Sequence, residues 1–415
     1  MSADTSDLTF RTAIVGIEGT WPEPPSYWSF STLTEAEACA LRWSMSRATF
    51  AAVWPNPGYP SLPAPAALAG EVVHLAVEQI VAAFVSAGCV SVGDERAVDV
   101  LRALGGYREL LKRCTNHVLE SLSANPRATG RIAYFQRSLD QRSSDMRRQV
   151  QSLISRVDIS ASVVKERVGA DLQEDVTRHG SSDLPDGVFP EFWVTSERLR
   201  FRGKLDLITI TDGNVEITDF KTGPTDDHHL EQLRSYELLW LHRDRYRSRD
   251  MPVSGLTLAY PDHEVSVSVL PASDINVMTE SFEHRLSAAT ASVGARPPAA
   301  TPSEGACRYC QVRHLCDSYW AWLINQPHQD GLVDVAIQVT ARNGSRSWSY
   351  RSSIEAGLLR AEEGAVFEAG RLYRLLSVRR SLPDDDTPAI LSLTSATETF
   401  ELRGDDSNSR VARRG

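Results

Sequence analysis

Two acids and a lysine, set in short strand-like runs, are the residues with the clearest capacity for chemistry. "GKLDLI" carries Asp206, and "EITDFKTG" carries Asp219 and Lys221. Between them lies "TDGN", and Asp-Gly is a favoured two-residue turn between paired strands. A turn at Asp212 and Gly213 sets Asp206 opposite Asp219, so both carboxylates fall on one side of a sheet within reach of a shared cation. Lys221 follows Asp219 by two residues and points the same way, because strand side chains alternate. Buried carboxylates this close repel, and a divalent metal with oxygen preference is the usual compensation. The same spacing also fits a solvated strand face that does no chemistry.

Other residues fall in with this set. "QLRSY" places Gln232 and Tyr236 four apart, on one face of a following helix. His74 in "GEVVH" is an imidazole on a helix that could add a nitrogen ligand. A second cluster, "CRYCQVRHLC", spaces Cys307, Cys310 and Cys316 as metal-binding thiolates are spaced. The fourth ligand is either His314, giving a local Zn2+ site, or the distant Cys39. Cys89 and Cys114 are scattered and read as small buried residues.

Taken in order, "GEVVH", "GKLDLI", "ITDFKTG" and "QLRSY" resemble the RecB-type branch of the PD-(D/E)XK nucleases, which includes CRISPR-associated and AddB-like members, over roughly residues 26–320. The resemblance implies an α/β fold with a restriction-endonuclease-like core and helical insertions. It implies His74, Asp206, Asp219 and the Phe220 carbonyl as ligands of Mg2+ or Mn2+, with Lys221 acting on the attacking water and Gln232 and Tyr236 near DNA. Glu191 in "PEFW" matches a weaker acidic position. Iron-sulfur members of the branch take one cysteine from an N-terminal helix and three from a C-terminal segment. "SFSTLTEAEACALRW" has the matching start, although Ala40 stands where proline often follows the cysteine. A [4Fe-4S] cluster on Cys39, Cys307, Cys310 and Cys316 is therefore implied over Zn2+, as a structural staple rather than an electron carrier. The implied function is metal-dependent hydrolysis of DNA phosphodiesters, as an exonuclease on single-stranded DNA in repair, recombination or defence. The competing reading is a non-catalytic DNA-binding subunit stabilised by iron-sulfur or zinc.

The elements that must hold these residues follow from periodicity. An amphipathic helix is expected within 26–47, a second through "ALAGEVVHLAVEQIVAAF", and a helical block over about 94–180. Alternating strands follow around "FWVTSERLRFRGKLDLITITDGNVEITDFKTG", then a helix-rich stretch up to the cysteine trio. The nuclease domain is thus expected over 1–325. Residues 332–404 read as a small OB-like β domain and 405–415 as a disordered tail. Trp348, Tyr350 and Tyr373 of the β domain are candidates for stacking on unpaired bases, with core the better reading for Tyr373.

The net charge of -10 argues against a broadly basic nucleic-acid coat. Local basic patches remain: Arg198, Arg200, Arg202 and Lys204 at every second position, with Gly203 a possible bulge, and arginines at 243, 245, 247 and 249. No Walker-type loop is present, so a helicase or other motor must unwind the DNA unless it is already single-stranded. The N-terminal segment lacks a basic flank followed by an apolar stretch, and the most apolar run reads as short of a membrane span. A soluble cytoplasmic protein with no membrane partner is expected.

Overall fold

The computed structural model describes residues 9–11, 18–157, 159, 184–246, 250–327, 331–361, 365–381, 383 and 388–402. The end of the expected helical block, Arg247, Arg249 and the tail 405–415 lie outside the described residues. In chain order come β1 (Thr9–Arg11), β2 (Glu18–Thr20), α1 (Phe30–Ala38), α2 (Ala40–Met45), α3 (Pro65–Ser86), α4 (Glu95–Ala103), α5 (Gly106–Ser121), α6 (Ile132–Gln141) and α7 (Ser143–Ser155). Strands β3 (Gly187–Ser196), β4 (Phe201–Thr211) and β5 (Asn214–Phe220) follow, then α8 (Asp227–Leu241), β6 (Val253–Ala259), β7 (Glu264–Val267) and α9 (Ala272–Gly294). After α10 (Glu304–Arg308) and α11 (Asp317–Leu323) come β8 (Gly331–Arg342), β9 (Ser347–Arg351), β10 (Ala356–Arg360), β11 (Leu372–Ser381), β12 (Ala389–Ser392) and β13 (Glu398–Leu402). These elements divide into two compact units.

The first unit comprises Pro25–Thr34 and the described residues of Leu62–Thr290. Its sheet runs β3-β4-β5-β6-β7, antiparallel except for the parallel pair β5 and β6, which α8 connects. Asp212 and Gly213 take the left-handed φ values of 50° and 77° that a two-residue hairpin turn requires. The Asp186 carboxylate accepts from their N–H groups at 2.8 and 3.2 Å. The resulting register pairs Leu207 with Thr218 and Ile208 with Ile217, as the turn dictates.

Helix α3 buries Val72, Val73, Ala76, Val77 and Ile80 against Leu110, Cys114, Phe135 and Leu153 of the following helices and against Val188, Leu207 and Phe220 of the sheet. Among the described residues it is the one helix long and apolar enough to span a membrane by length and composition, contrary to the sequence reading. In this fold its apolar face is committed to the core. Cys89 and Cys114 are fully buried there, as small apolar side chains are.

The helix-rich stretch expected after the hairpin holds α8 and α9, and between them "VSGLTLA" forms β6 inside the sheet. One expectation for this unit fails. The basic stripe is broken: residues 197–200 form a turn, with Arg200 at φ 49°, so Arg198 and Arg200 precede the strand. Arg198 pairs with Glu283 at 3.2 Å, and Arg200 pairs with Glu197 at 3.2 Å while lying over the Tyr27 ring. Gly203 is not a bulge. It is glycine because a Cβ there would stand 3.0 Å from the Tyr236 ring and 3.1 Å from Leu239, where α8 crosses the strand closely.

The second unit comprises Glu35–Ser61 with the described residues of Met1–Pro24 and Ala291–Gly415. The expected single helix over 26–47 is two. Cys39 breaks it with an extended backbone, φ -168° and ψ 109°, and its Sγ accepts from the Arg42 N–H to cap α2. Leu41 N–H donates to the Ala299 carbonyl at 3.0 Å, Thr301 Oγ1 to the Ala38 carbonyl at 2.7 Å and Arg42 to the Ala306 carbonyl at 3.3 Å. These bonds bring Cys39 beside the cysteine trio.

Beyond the trio, β8, β9 and β10 form an antiparallel meander, β12 pairs in parallel with β10, and β12 and β8 both pair antiparallel with β11. The sheet thereby closes into a five-stranded barrel, with β13 added on β11. Trp348, Tyr350 and Tyr373 fill its core with Val335, Ile337 and Leu375, so none of the three is exposed for stacking.

Candidate active site

Asp206 near the middle of β4, Asp219 near the end of β5 and Lys221 just beyond it come together as the hairpin predicts. Asp206 Oδ2 accepts from the Phe220 N–H at 2.7 Å, extending the ladder through a side chain. Lys221 Nζ ion-pairs with Asp219 Oδ2 and donates to Gln232 Oε1 at 2.8 Å, and Gln232 Nε2 donates to the Tyr236 hydroxyl at 2.7 Å. One hydrogen-bonded chain therefore joins β5 to the inner face of α8.

His74 reaches the same place from α3, its Nδ1 3.9 Å from Asp206 Oδ2. Gly70, one turn earlier, makes that approach feasible, since a Cβ there would stand 2.9 Å from Thr222 Oγ1. Glu191 on β3, at the left-handed φ of 54°, ion-pairs with Lys204.

Burial governs the electrostatics. It pushes the Asp219 carboxyl up to about 7, reinforced by the facing Asp206 and opposed by Lys221. It pushes Asp206 up to about 6, opposed by Lys221 and the Phe220 N–H. It lowers His74, which the Asp219 charge partly restores, and raises the Tyr236 hydroxyl.

Both acids hold their protons above the ordinary 3.8, so the folded chain binds more protons than the unfolded one as pH rises. Their ionisation therefore carries a stability cost, a cost that is absent in acid and grows between about pH 4 and about pH 7. In chelator, Asp219→Asn is expected to melt above wild type at about pH 8, and the difference should shrink toward about pH 5. Melting curves against pH check this, and a difference independent of pH would contradict it.

Among the described residues no three His, Cys, Asp or Glu side chains already form a ready-made metal cage. The donor set is nonetheless that of a hard divalent cation: two buried carboxylates, an imidazole and the Phe220 carbonyl, with like charges that a cation would relieve. Sequence reasoning missed two neighbours. Glu78, one turn beyond His74 on α3, has its carboxyl raised by burial and by Glu191. His229, one turn before Gln232 on α8, bonds the Tyr260 hydroxyl through Nδ1 at 2.8 Å. The four-residue spacing in "HLAVE" and the three-residue spacing in "HLEQ" were the available signals.

In the second unit Cys39, Cys307, Cys310 and Cys316 all line one small pocket. Cys316 Sγ accepts from the Tyr319 N–H to cap α11, as Cys39 does for α2. Burial pushes the Cys310 and Cys316 thiols up to about 11, and the nearby Arg42 pulls Cys310 back. Four sulfurs facing one space, with N–H donors and Arg42 and Arg313 on its wall, fit a thiolate-bound metal group. His314 is not on that wall. Its ring is stacked on Phe400 at 4.0 Å and lies 4.8 Å from Tyr59.

No curated protein matches the chain. Among solved structures it is similar to a tetrameric p202 HIN2 at 16% identity and TM-score 0.16, covering 19% of this chain and 44% of that one. It is also similar to a murine DNA binding protein bound with double-stranded DNA at 11% identity and TM-score 0.18, covering 52% and 94%. A p204 HINb domain gives 13% identity and TM-score 0.17, covering 52% and 92%. The chain spans less than half the length of the first of these. Likenesses this low carry no argument. The family comparison does: residues 27–317, which include the hairpin acids, Lys221, α8 and the four cysteines, match the model of the PD-(D/E)XK nuclease superfamily, and the chain belongs to that superfamily.

Proposed function

We propose that the chain is a metal-dependent DNA exonuclease of the RecB-like branch, acting on single strands, with a [4Fe-4S] cluster as structural staple. The superfamily implies phosphodiester hydrolysis on DNA with a divalent metal such as Mg2+ or Mn2+. The observation that carries the active-site reading is the chain from Asp219 through Lys221 and Gln232 to Tyr236, which links the catalytic hairpin to the helix motif.

His74, Asp206, Asp219 and the Phe220 carbonyl would hold the cation. When bound it supplies a water of lowered pKa and draws charge from the phosphoryl oxygen. Lys221, fixed between Asp219 and Gln232, orients the attacking water and offsets charge developing on the phosphate. Gln232 sets the Lys221 ammonium, and Tyr236 sets Gln232.

The cluster reading is supported by the cavity that all four cysteines line and by His314 being held elsewhere by aromatic rings. The OB-like reading of the C-terminal barrel is supported by its ring order, β8-β9-β10-β12-β11, with the parallel pair closing it. Single-strand exonuclease action and a helicase or other motor as partner rest on the resemblance and on the lack of a Walker-type loop in the sequence.

The test is anaerobically purified protein with Mn2+ on end-labelled linear single-stranded DNA beside a closed circle of the same sequence. Loss of the linear strand with the circle spared is expected. Cutting of the circle would make the enzyme an endonuclease, and an inert, iron-loaded protein would favour a binding platform.

A further inference from the structure

The barrel aromatics are core residues, but one tryptophan of the first unit is placed oppositely. Trp193 lies on β3, the edge strand of the five-stranded sheet, and is 55% exposed. Its neighbours fix it there. Phe192 packs its ring against Trp240 and Tyr246 at 6.5 and 5.8 Å, and Val194 is buried, so strand alternation turns Trp193 outward.

Directly across the ladder stands Lys204, and the next outward pair is Thr195 with the exposed Arg202. Among the described residues the Arg202 guanidinium makes no ion pair. In the other direction Lys204 is ion-paired to Glu191, whose charge is felt by Asp206 and His74. Lys204 precedes Asp206 by two residues, about 7 Å of strand. That is close to the reach of one nucleotide in an extended single strand.

We propose that Trp193 is the stacking platform for one base of a single-stranded DNA substrate, with Arg202 and Lys204 against the flanking phosphates. The inference rests on the nuclease reading and specifies its substrate. An indole face accepts any base, and adjacent cations hold the backbone, so binding is tight without reading sequence. A base reaches the ring only when it is unpaired, which makes the platform selective for single strands over duplex.

Binding is measured by anisotropy in Ca2+ with full-length wild type, Trp193→Ala and Trp193→Phe. The probes are a single-stranded oligonucleotide, its duplex, and a series with one abasic position walked along the strand. Trp193→Ala is expected to weaken single-strand binding on the order of tenfold, with duplex affinity unchanged. Wild type should show one abasic position of matching loss, absent in Trp193→Ala, and Trp193→Phe should recover most of the affinity. Equal affinities for wild type and Trp193→Ala would overturn the proposal and would be the result if the ring instead covers a protein partner. An abasic loss that persists in Trp193→Ala would overturn it too, by leaving Trp193 a structural role. Cleavage by wild type in Mn2+ is scored separately. Its failure removes the nuclease reading, while the abasic series still decides the stacking.

Discussion

Lys221→Ala is expected to lower metal-dependent cleavage on the order of 10²- to 10³-fold while the protein stays folded and still binds Mn2+. The side chain is only 12% exposed, and its ammonium sits between Asp219 Oδ2 and Gln232 Oε1. Removing it withdraws a positive charge that offsets both raised carboxyls. A cation bound by those carboxylates then sees a more negative site, so Mn2+ affinity should hold or tighten as turnover falls. That split separates a catalytic lysine from a counter-ion. If Lys221 merely neutralised Asp219, the cation would replace it and turnover would survive. Mn2+ binding by calorimetry beside cleavage of end-labelled DNA distinguishes the two. Gln232→Ala should fall between wild type and Lys221→Ala, because it loosens the ammonium without removing it.

The part of this site that was legible in the sequence is the part fixed by local rules. An Asp-Gly turn sets a register, and a register sets which side chains face each other, so Asp206, Asp219 and Lys221 followed from spacing alone. Whether they faced solvent or a buried site did not follow, since burial depends on α3 and α8 arriving from distant segments. Gly70 and Gly203 carry that information as close approaches, but a glycine does not name what approaches it. The basic stripe failed for a related reason. Alternation counted through residues 197–200 assumes a strand, and a left-handed residue at Arg200 ends it. Barrel aromatics likewise look the same whether they point in or out, because closure through β12 decides which face becomes the core. Glu78 and His229 were visible only as helical spacings, which are common and need a neighbour to mean anything.

Cys39→Ser carries the second large effect, because it acts on the fold rather than on turnover. Cys39 is joined to the trio only through space, and three hydrogen bonds hold α1 and α2 against residues 299–306. The trio in turn is tied to the barrel: Asp334 accepts from Arg313 at 2.5 Å, from the Tyr319 hydroxyl and from the Ser377 N–H at 2.8 Å. Arg374 donates to the His314 carbonyl at 2.7 Å and to Asp317 at 2.6 Å. A metal group drawing four thiolates together would close a loop of more than half the chain, which restricts the unfolded ensemble and adds its binding free energy to folding. Cys39→Ser is therefore expected to lose iron and the absorbance near about 400 nm, a wavelength typical of thiolate-ligated iron. It should also be less stable by several kcal/mol, roughly the scale of a lost structural metal or cross-link. Cys114→Ser, in the α3 core, should keep its iron. The Zn2+ alternative with His314 as fourth ligand predicts the reverse: Cys39→Ser would keep its metal and His314→Gln would release it. Metal analysis and anaerobic spectra of the three variants decide between the ligand sets. Retention of iron by Cys39→Ser would remove the cross-link from the account of why the distant N-terminal cysteine is there.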